Sequence, residues 1–385
     1  MMMQTPAGQR ALCIMFGIVT LAPTLLWPTG TALNARLNEN RVKAQLPGTG
    51  DNPATAWQTL LAFREFYNDN FPFRDVAIEA DSRLRVQLAG NFWTDRVILG
   101  RDGWMFLRRT RTGVPVTLPV APFTEAELAD WTRTLIARDA ALRERGIRYA
   151  VIIAPNKATV YPDFRPDDLR PFPPDVRQDQ LRDALRSGTR VQYVDLRPAL
   201  REARQDIPEL YYRTDTHWNA FGARAADREI GRQLQLLPGT ATDGPFVVRC
   251  TDRNYSGDLL RLLGAPGFTR ESRIALHPER GFCWNRIDFE RAAVPGIPEF
   301  VRTFATAAPN DHLPHAVIFR DSFCLELQPF LSERFRRAVY VWHDTLDLEL
   351  IERESPDLVL DIFVERQLHT APPAALCVRQ HRPDR

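Results

Sequence analysis

The sequence predicts an α/β protein in which a mostly parallel sheet is flanked by helices. The first observation is a series of short apolar runs, each too brief for a helix: YAVIIAP, VQYVDL, HAVIFRD, AVYVW and DLVLDIF. The second is that helical segments alternate with these runs, an order typical of strands that are covered on both faces. The chain has 385 residues, of which 44% are hydrophobic, so it can bury a large core.

The N-terminal segment over 1–36 is predicted to be a signal anchor or a signal peptide. Arg10 is followed by an uncharged run from Ala11 to Ala35, and this basic-then-apolar order is typical of export signals. The run can supply the roughly 20 residues of a membrane-spanning helix, which favours an uncleaved anchor over a cleaved peptide. A buried core helix is the weaker alternative, because a polar linker over 37–55 follows. Residues 56–385 are expected to form the main domain with its lead-in.

Charge and cysteine content restrict the function further. With 50 basic and 48 acidic residues, the chain lacks the broad basic surface of a nucleic-acid-binding protein. Of the 5 cysteines, one lies in the N-terminal segment, which leaves an even number in an exported chain. Cys250 and Cys283 are one pair that the sequence permits to form a disulfide. Neither a CxxC pair nor an HExxH motif is present, so no metal site is predicted.

The segments before the first long strand are predicted in order. FPFRDVAIEADSRLRVQLAG predicts a helix that begins near Arg74, and two short strands turned by GRDG should follow it. In TEAELADWTRTLIARDAALRERG, Thr124 and Glu127 have the spacing of a capping box, and apolar residues recur at helical intervals. We therefore expect a helix over about 125–145 that Gly146 ends.

Two separated stretches carry the residues of a possible catalytic site. HAVIFRD is followed by Ser322 and by a helical segment, so this serine should lie at a strand-to-helix turn at the carboxyl edge of the sheet. Backbone N–H groups there can stabilise an oxyanion. Asp215 and His217 could activate the serine, because an imidazole takes its proton while a carboxylate holds the tautomer. The ordinary alternatives are a helix cap at Ser322 and polar residues at the end of a strand.

Together, YYRTDTHWNAFGA and IFRDSFCLELQPFLSERFRRAVYVW resemble the SGNH hydrolase-like domain of the periplasmic alginate O-acetyltransferases. In that family a D-x-H motif precedes a G-D-S-F-type serine, an order that resembles a circular permutation of ordinary SGNH enzymes. Further similar stretches are NENRVKAQLP, FPFRD, GRDGWMFL, APNKATVYPD, SGDLLRLLG and DLVLDIFVERQL, over about 38–368. The chain departs from the family at Arg320, where glycine is usual. This departure puts the choice of acceptor in doubt more than the chemistry of acetyl transfer. Without a carbohydrate-binding module after VERQL, it resembles the shorter, membrane-anchored members.

The resemblance implies a fold, a site and an activity. The fold would be SGNH hydrolase-like, with Ser322 as the nucleophile, His217 as base and then acid, and Asp215 as the residue that orients His217. The activity would be transfer of acetyl groups onto hydroxyls of an exported polysaccharide, alginate-like or another exopolysaccharide, through an acetyl-serine intermediate. A polytopic membrane acyltransferase would supply acetyl in the periplasm at the inner membrane, and no cofactor is expected. One alternative is an acetylesterase. The other is a noncatalytic polysaccharide-binding scaffold of an export complex, and an unpaired Ser322 or a blocking Arg320 would favour this scaffold.

Supporting roles are predicted for residues near these motifs. Backbone donors at Ser322 or Phe323 should form the oxyanion hole, with Tyr255 as a side-chain candidate. The ordinary alternatives are loop turns, packing of an indole under the catalytic loop, and capping of the next helix. The candidate substrate-binding residues are Asn156, Lys157, Tyr161, Trp218, Asn219, Arg320 and Arg366.

Overall fold

The computed structural model describes residues 14, 44–46, 56–77, 80–81, 84, 94–118, 120–169, 176–237, 244–265, 267–287, 289, 303–342 and 345–377. Nearly all of the predicted anchor over 1–36 and the linker over 37–55 lies outside these residues, so both remain predictions, as does the start of the main domain at 56. Within the described ranges, no helix is long and apolar enough to cross a membrane.

The helices follow the predicted alternation with strands. They are α1 Ala56–Asn70, α2 Glu125–Arg143, α3 Lys157–Val160, α4 Val176–Gly188, α5 Arg197–Asp206, α6 Ala220–Leu234, α7 Asp258–Leu263, α8 Cys324–Leu331 and α9 Leu348–Glu354. Short 3-10 helices lie at Arg101–Gly103, Pro162–Phe164, Asp167–Leu169, Ser332–Arg334 and Glu365–His369.

The strands include all of the predicted apolar runs. They are β1 Val97–Leu99, β2 Met105–Leu107, β3 Arg148–Ala154, β4 Gln192–Asp195, β5 Phe246–Tyr255, β6 Glu271–Pro278, β7 Asn285–Ile287, β8 Phe304–Ala307, β9 His315–Arg320, β10 Arg337–Trp342, β11 Leu346–Asp347, β12 Leu358–Val364 and β13 Leu376–Cys377.

The chain divides into two units. One comprises Met1–Phe92 with Asp258–Thr269, and the other comprises Trp93–Gly257 with Arg270–Arg385. In the first unit, Ala44 N–H donates to Asp69 at the end of α1 over 2.9 Å. Residues 74–77 are helical, where the sequence predicts the start of a helix. The second unit holds the central sheet.

The central sheet has the strand order β4-β3-β12-β9-β10-β8-β7. Neighbouring strands from β4 to β10 in this order pair in parallel. At the edge that follows, β8 pairs antiparallel with β10, and β7 pairs antiparallel with β8. The sheet is therefore mixed, and its parallel part confirms the predicted fold class. Because all of its parallel strands end at the same edge, the loops that follow them meet there.

Helices cover both faces of the sheet through two apolar clusters. On one face, Trp131, Leu135 and Leu142 of α2 pack with Leu181 and Leu185 of α4 against alternate residues of the strands. On the other face, α5, α6 and α8 pack against the residues between them. Strands that are buried on both sides explain why their sequences are continuous apolar runs rather than alternating ones.

Local signals at the ends of α2 act as predicted. Thr124 accepts a hydrogen bond from Glu127 N–H while the Glu127 carboxylate accepts from Thr124 N–H, so the capping box is formed. The helix ends at Arg143, and Gly146 has a φ of +72°, a conformation that favours glycine. The GRDG segment also turns β1 into β2, which pair antiparallel.

Strands β5 and β6 form a separate two-stranded antiparallel ribbon. Most residues of β5 are exposed, whereas Leu276 of β6 belongs to the core. Cys250 in β5 is a free and exposed thiol. The disulfide between Cys250 and Cys283 that the sequence permits is therefore not formed.

Candidate active site

The Asp-Thr-His motif lies on a tight loop immediately before α6. Tyr211 and Trp218 form a β-bridge that closes this loop, and Tyr212 N–H donates to His217 O over 3.3 Å. Ser322 lies in the turn between β9 and α8, as predicted. The fold thus brings together two segments that are more than a hundred positions apart in the sequence.

The side chains of Asp215, His217 and Ser322 form a chain of hydrogen bonds. His217 Nδ1 lies 2.7 Å from Asp215 Oδ1, and His217 Nε2 lies 2.8 Å from Ser322 Oγ. Since a carboxylate only accepts hydrogen bonds, Nδ1 carries the proton of the neutral imidazole and Nε2 can accept the serine proton. This arrangement is what a serine needs for activation by a histidine base.

The carboxyl group of Asp215 is held as an anion inside the protein. Burial alone would raise its pKa, but the adjacent His217 and hydrogen bonds from His217 and Tyr255 outweigh burial, so the pKa of Asp215 lies well below its usual range. The Tyr255 hydroxyl donates to Asp215 Oδ2 over 2.6 Å, and His217 N–H donates to Oδ1 over 3.0 Å. Asp215 can therefore balance a positive charge on His217.

The turn that carries Ser322 is fixed by the neighbouring carboxylate of Asp321. Its Oδ1 accepts from Phe323 N–H over 2.9 Å, and its Oδ2 accepts from Val364 N–H over 2.7 Å. Phe323 N–H, one of the two predicted oxyanion donors, is thus already engaged. Among the described residues, Ser322 N–H has no hydrogen-bond acceptor, so it is the backbone donor that remains for an oxyanion.

Comparison with known proteins agrees with the sequence resemblance. A family model described as "SGNH hydrolase-like domain, acetyltransferase AlgX" matches residues 97–280, which include Asp215 and His217 but not Ser322. The probable alginate O-acetylase AlgJ of Pseudomonas aeruginosa is 28% identical over 223 residues, which cover 55% of this chain and 52% of the relative. The Azotobacter vinelandii protein of the same name is 24% identical over 335 residues, 84% of this chain and 82% of the relative. The chain is thus similar to the alginate O-acetylases, in agreement with the sequence resemblance.

The match to the Pseudomonas aeruginosa relative spans about half of that protein's length. Among solved structures, a DHHW family protein from Eubacterium siraeum has a TM-score of 0.54 at 14% identity, and the match covers 73% of this chain and 94% of the other. At this level of identity the similarity shows the fold alone. The predicted SGNH hydrolase-like α/β fold is thereby confirmed.

Lys157 supports the loop of the Asp-Thr-His motif. The residue is only 4% exposed, and its Nζ donates to the backbone oxygens of Tyr212, Arg213 and Asp215 over 2.9, 2.9 and 2.6 Å. The predicted contact of Lys157 with substrate finds no support in this position. Its ammonium group instead holds the carbonyls of the loop.

Three further predicted substrate-binding residues are buried and engaged within the fold. Trp218 donates from Nε1 to Phe323 O over 2.9 Å, so the indole packs under the nucleophile turn, which is the ordinary alternative for this residue. Asn219 caps α6 by accepting from the N–H groups of its first turn. The Tyr161 hydroxyl donates to Pro208 O over 2.8 Å. The structure does not bring these three side chains to a surface that a polymer could contact.

Asn156 and Arg366 lie closer to the predicted role. Arg366 Nη1 donates to Asn156 Oδ1 over 3.3 Å, and both residues line a small cavity together with Thr216 of the loop. The Arg366 guanidinium lies 5.3 Å from the centre of the Phe323 ring, which in turn lies 4.8 Å from the His217 ring. These two residues are therefore the predicted substrate contacts that the structure places beside the Asp-His-Ser chain.

Arg320 points away from the nucleophile. Its guanidinium lies 4.9 Å from the Trp342 ring and 5.5 Å from the Phe304 ring, and burial lowers its pKa. It lines a cavity of about 320 Å³ that also contains Asp321 but neither His217 nor Ser322. The structure thus gives no sign that Arg320 narrows the space around Ser322.

Glu271 is a site residue that sequence analysis missed. Its carboxylate accepts from Arg213 N–H over 2.8 Å and from Thr214 N–H over 2.9 Å. It lies at the start of β6, and no motif surrounds it. The sequence therefore offered no local signal that this carboxylate reaches the loop of Asp215.

Proposed function

We propose that this chain is an O-acetyltransferase that moves acetyl groups onto hydroxyls of an exported polysaccharide. The observation that carries the proposal is the 2.8 Å distance between His217 Nε2 and Ser322 Oγ, with Asp215 behind the imidazole. The family relationship supports acetyl as the transferred group, since the relatives are named probable alginate O-acetylases.

The first half of the reaction would acetylate Ser322. As its Oγ attacks the carbonyl carbon of an acetyl donor, His217 Nε2 takes the Oγ proton, and Asp215 stabilises the resulting imidazolium. Ser322 N–H would donate to the oxyanion of the tetrahedral intermediate. When that intermediate collapses, the bond to the leaving group breaks, and His217 returns the proton to it.

The second half would transfer the acetyl group to the acceptor. A sugar hydroxyl gives its proton to His217 as its oxygen attacks the acetyl carbonyl carbon of the acylated serine. The ester bond to Ser322 Oγ then breaks, and His217 returns the proton to that oxygen. Because both halves use one base at one position, the partially exposed imidazole has to be reached by both donor and acceptor.

The setting of the reaction is also a proposal. The signal-like N-terminus favours the periplasm, with anchoring at the inner membrane through residues 1–36. As the family resemblance implies, acetyl would arrive from a polytopic membrane acyltransferase, and the sequence has no recognisable motif for acetyl-CoA. The acceptor would be alginate or another exopolysaccharide.

An unpaired Ser322, or one blocked by Arg320, would favour the noncatalytic scaffold alternative. Instead Ser322 is hydrogen-bonded to His217, and Arg320 is packed between aromatic rings. The acetylesterase alternative shares the acetyl-serine intermediate, with water in place of the sugar. The two activities therefore differ only in the acceptor, which is water for the esterase and a sugar hydroxyl for the transferase.

The proposal is tested by supplying p-nitrophenyl acetate together with polysaccharide oligomers, and by measuring acetylated oligomer and free acetate. We expect acetyl transfer to the oligomers, and Ser322→Ala should lose roughly 10³-fold or more of acyl turnover, the scale found when a triad member is removed. The exposed Ser187→Ala serves as the matched control. Near wild-type turnover in Ser322→Ala would contradict the mechanism, and release of acetate alone would favour the esterase.

A further inference from the structure

The base of the β5–β6 ribbon, which is the end formed by Tyr255 and Glu271, contacts the loop of the Asp-Thr-His motif. Tyr255 is the last residue of β5, Glu271 is the first residue of β6, and the two lie directly opposite each other in the ladder. Both side chains reach the same loop, Tyr255 at Asp215 and Glu271 at Thr214. A single cross-strand pair therefore supplies two contacts to the segment that contains His217, the predicted proton acceptor.

Tyr255 determines how the carboxylate of Asp215 is oriented. Its hydroxyl donates to Oδ2 over 2.6 Å, while Oδ1 faces His217 Nδ1 at 2.7 Å. Rotation of the carboxylate would break both bonds, so the phenol stabilises the one orientation in which Oδ1 meets the imidazole. Because its hydroxyl is engaged behind Asp215, Tyr255 does not act as the oxyanion donor predicted from the sequence.

Glu271 holds the backbone of the same loop. It accepts from the N–H groups of Arg213 and Thr214 and from the Thr214 hydroxyl, while Lys157 binds loop carbonyls. At Gly257 a Cβ atom would lie 2.2 Å from Thr214 O, so only glycine permits this approach of the ribbon to the loop. The Glu271 carboxylate thus holds N–H groups of the loop backbone, and the Lys157 ammonium group holds its carbonyl oxygens.

We propose that Tyr255 and Glu271 are positioning residues, which align Asp215, and through it His217, for proton transfer with Ser322. This inference rests on the proposed function, and it adds two groups that touch neither donor nor acceptor. A hydrogen bond to a charged group is strong and directional. Loss of the bond from Tyr255 would therefore let the Asp215 carboxylate turn away from the His217 imidazole.

The aromatic pair at the ribbon base provides a matched comparison. The rings of Tyr255 and Tyr212 lie 5.0 Å apart, but the Tyr212 hydroxyl is directed to Ile274 O at 3.5 Å. Tyr255→Phe and Tyr212→Phe each remove one hydroxyl from this pair. Tyr255→Phe should slow acetylation of Ser322 by p-nitrophenyl acetate about 10-fold to 100-fold at unchanged KM, the loss typical of a partner behind a functional group. Tyr212→Phe should stay within about twofold of wild type.

A second readout needs no substrate. The hydrogen-bonded Nδ1 proton of His217 should give a far-downfield proton NMR resonance. In Tyr255→Phe we expect this resonance to shift upfield or to broaden, and in Tyr212→Phe to stay in place. Wild-type rate and resonance in Tyr255→Phe would overturn the proposal. So would a slower rate with an unchanged resonance, since the loss would not pass through the Asp215–His217 bond.

Failure of this proposal is distinguishable from failure of the proposed function. If Ser322→Ala retained full turnover, the mechanism would fall, yet the resonance comparison would still decide whether Tyr255 aligns the pair. If Tyr255→Phe did not fold, Glu271→Gln tests the same alignment, because the amide NH2 group of glutamine would face the N–H donors of the loop. The control is Glu279→Gln, at the exposed residue that follows β6. Wild-type rate and resonance in Glu271→Gln would then overturn the proposal.

Discussion

At the scale of single residues, the site depends on an anion kept inside the protein. Asp215 is only 2% exposed, so its charge has to be balanced by hydrogen bonds rather than by water. His217 supplies such bonds at Oδ1, from its ring and its backbone N–H, and Tyr255 supplies one at Oδ2. A serine next to a histidine without this support would lack the fixed tautomer on which proton transfer depends.

The lowered pKa of Asp215 predicts a pH dependence of stability. A carboxyl group whose pKa is depressed by folding stabilises the native state above its unfolded pKa of about 3.9, and this contribution is lost as the pH falls below that value. We therefore expect the free energy of unfolding of wild type, relative to Asp215→Asn, to fall between about pH 5 and pH 3. Urea denaturation at each pH measures it, and an exposed Asp206→Asn variant is the control. A constant difference across this range would show that the pKa is not lowered.

At the scale of elements, the sequence predicted the strands and helices whose patterns are local. The capping box of α2, the apolar runs of the parallel strands and the turn after β9 were all recognisable. The antiparallel strands β7 and β8 and the β5–β6 ribbon were not predicted. Their short or exposed sequences carry no clear alternation, and their pairing depends on distant partners.

The same limit applies to the predicted substrate contacts. The stretches that contain Tyr161 and Lys157 were recognised by resemblance, but a motif does not show which side of a segment faces the core. For Trp218, packing under the catalytic loop was already the favoured interpretation. The Asp-x-His spacing and the strand-to-helix serine were predictable because each constrains its own local geometry. Tyr255 and Glu271 reach the loop only through the ribbon, so their roles could not be derived from neighbouring residues.

Helix α2 offers a test that should leave the site untouched. Thr124→Ala removes the capping box and should lower the free energy of unfolding by about 1 kcal/mol. Thr132→Ala on the same helix is the control, because its hydroxyl donates only to Leu128 O and alanine favours a helix interior. Urea denaturation measures both variants. Equal stability of Thr124→Ala and wild type would contradict the role of the cap.

At the scale of the whole molecule, the central sheet explains why residues from distant parts of the sequence meet. Ser322 follows the end of a central parallel strand, where ligands and reactive groups gather in α/β folds. Balanced charge over the chain gives no general attraction for polyanions, so recognition of a polysaccharide would have to come from local groups such as Asn156 and Arg366. In the proposed reaction, the fold supplies the nucleophile and its base, while donor and acceptor come from outside.

The central claim is that Ser322 carries the acetyl group during the reaction. The most direct measurement is intact-protein mass spectrometry after brief exposure to an activated acetyl ester, with wild type, His217→Ala and Ser322→Ala compared. We predict that only wild type gains one acetyl group, and that peptide mapping places it on Ser322. Equal acetylation of all three proteins, or none in any of them, would contradict the account.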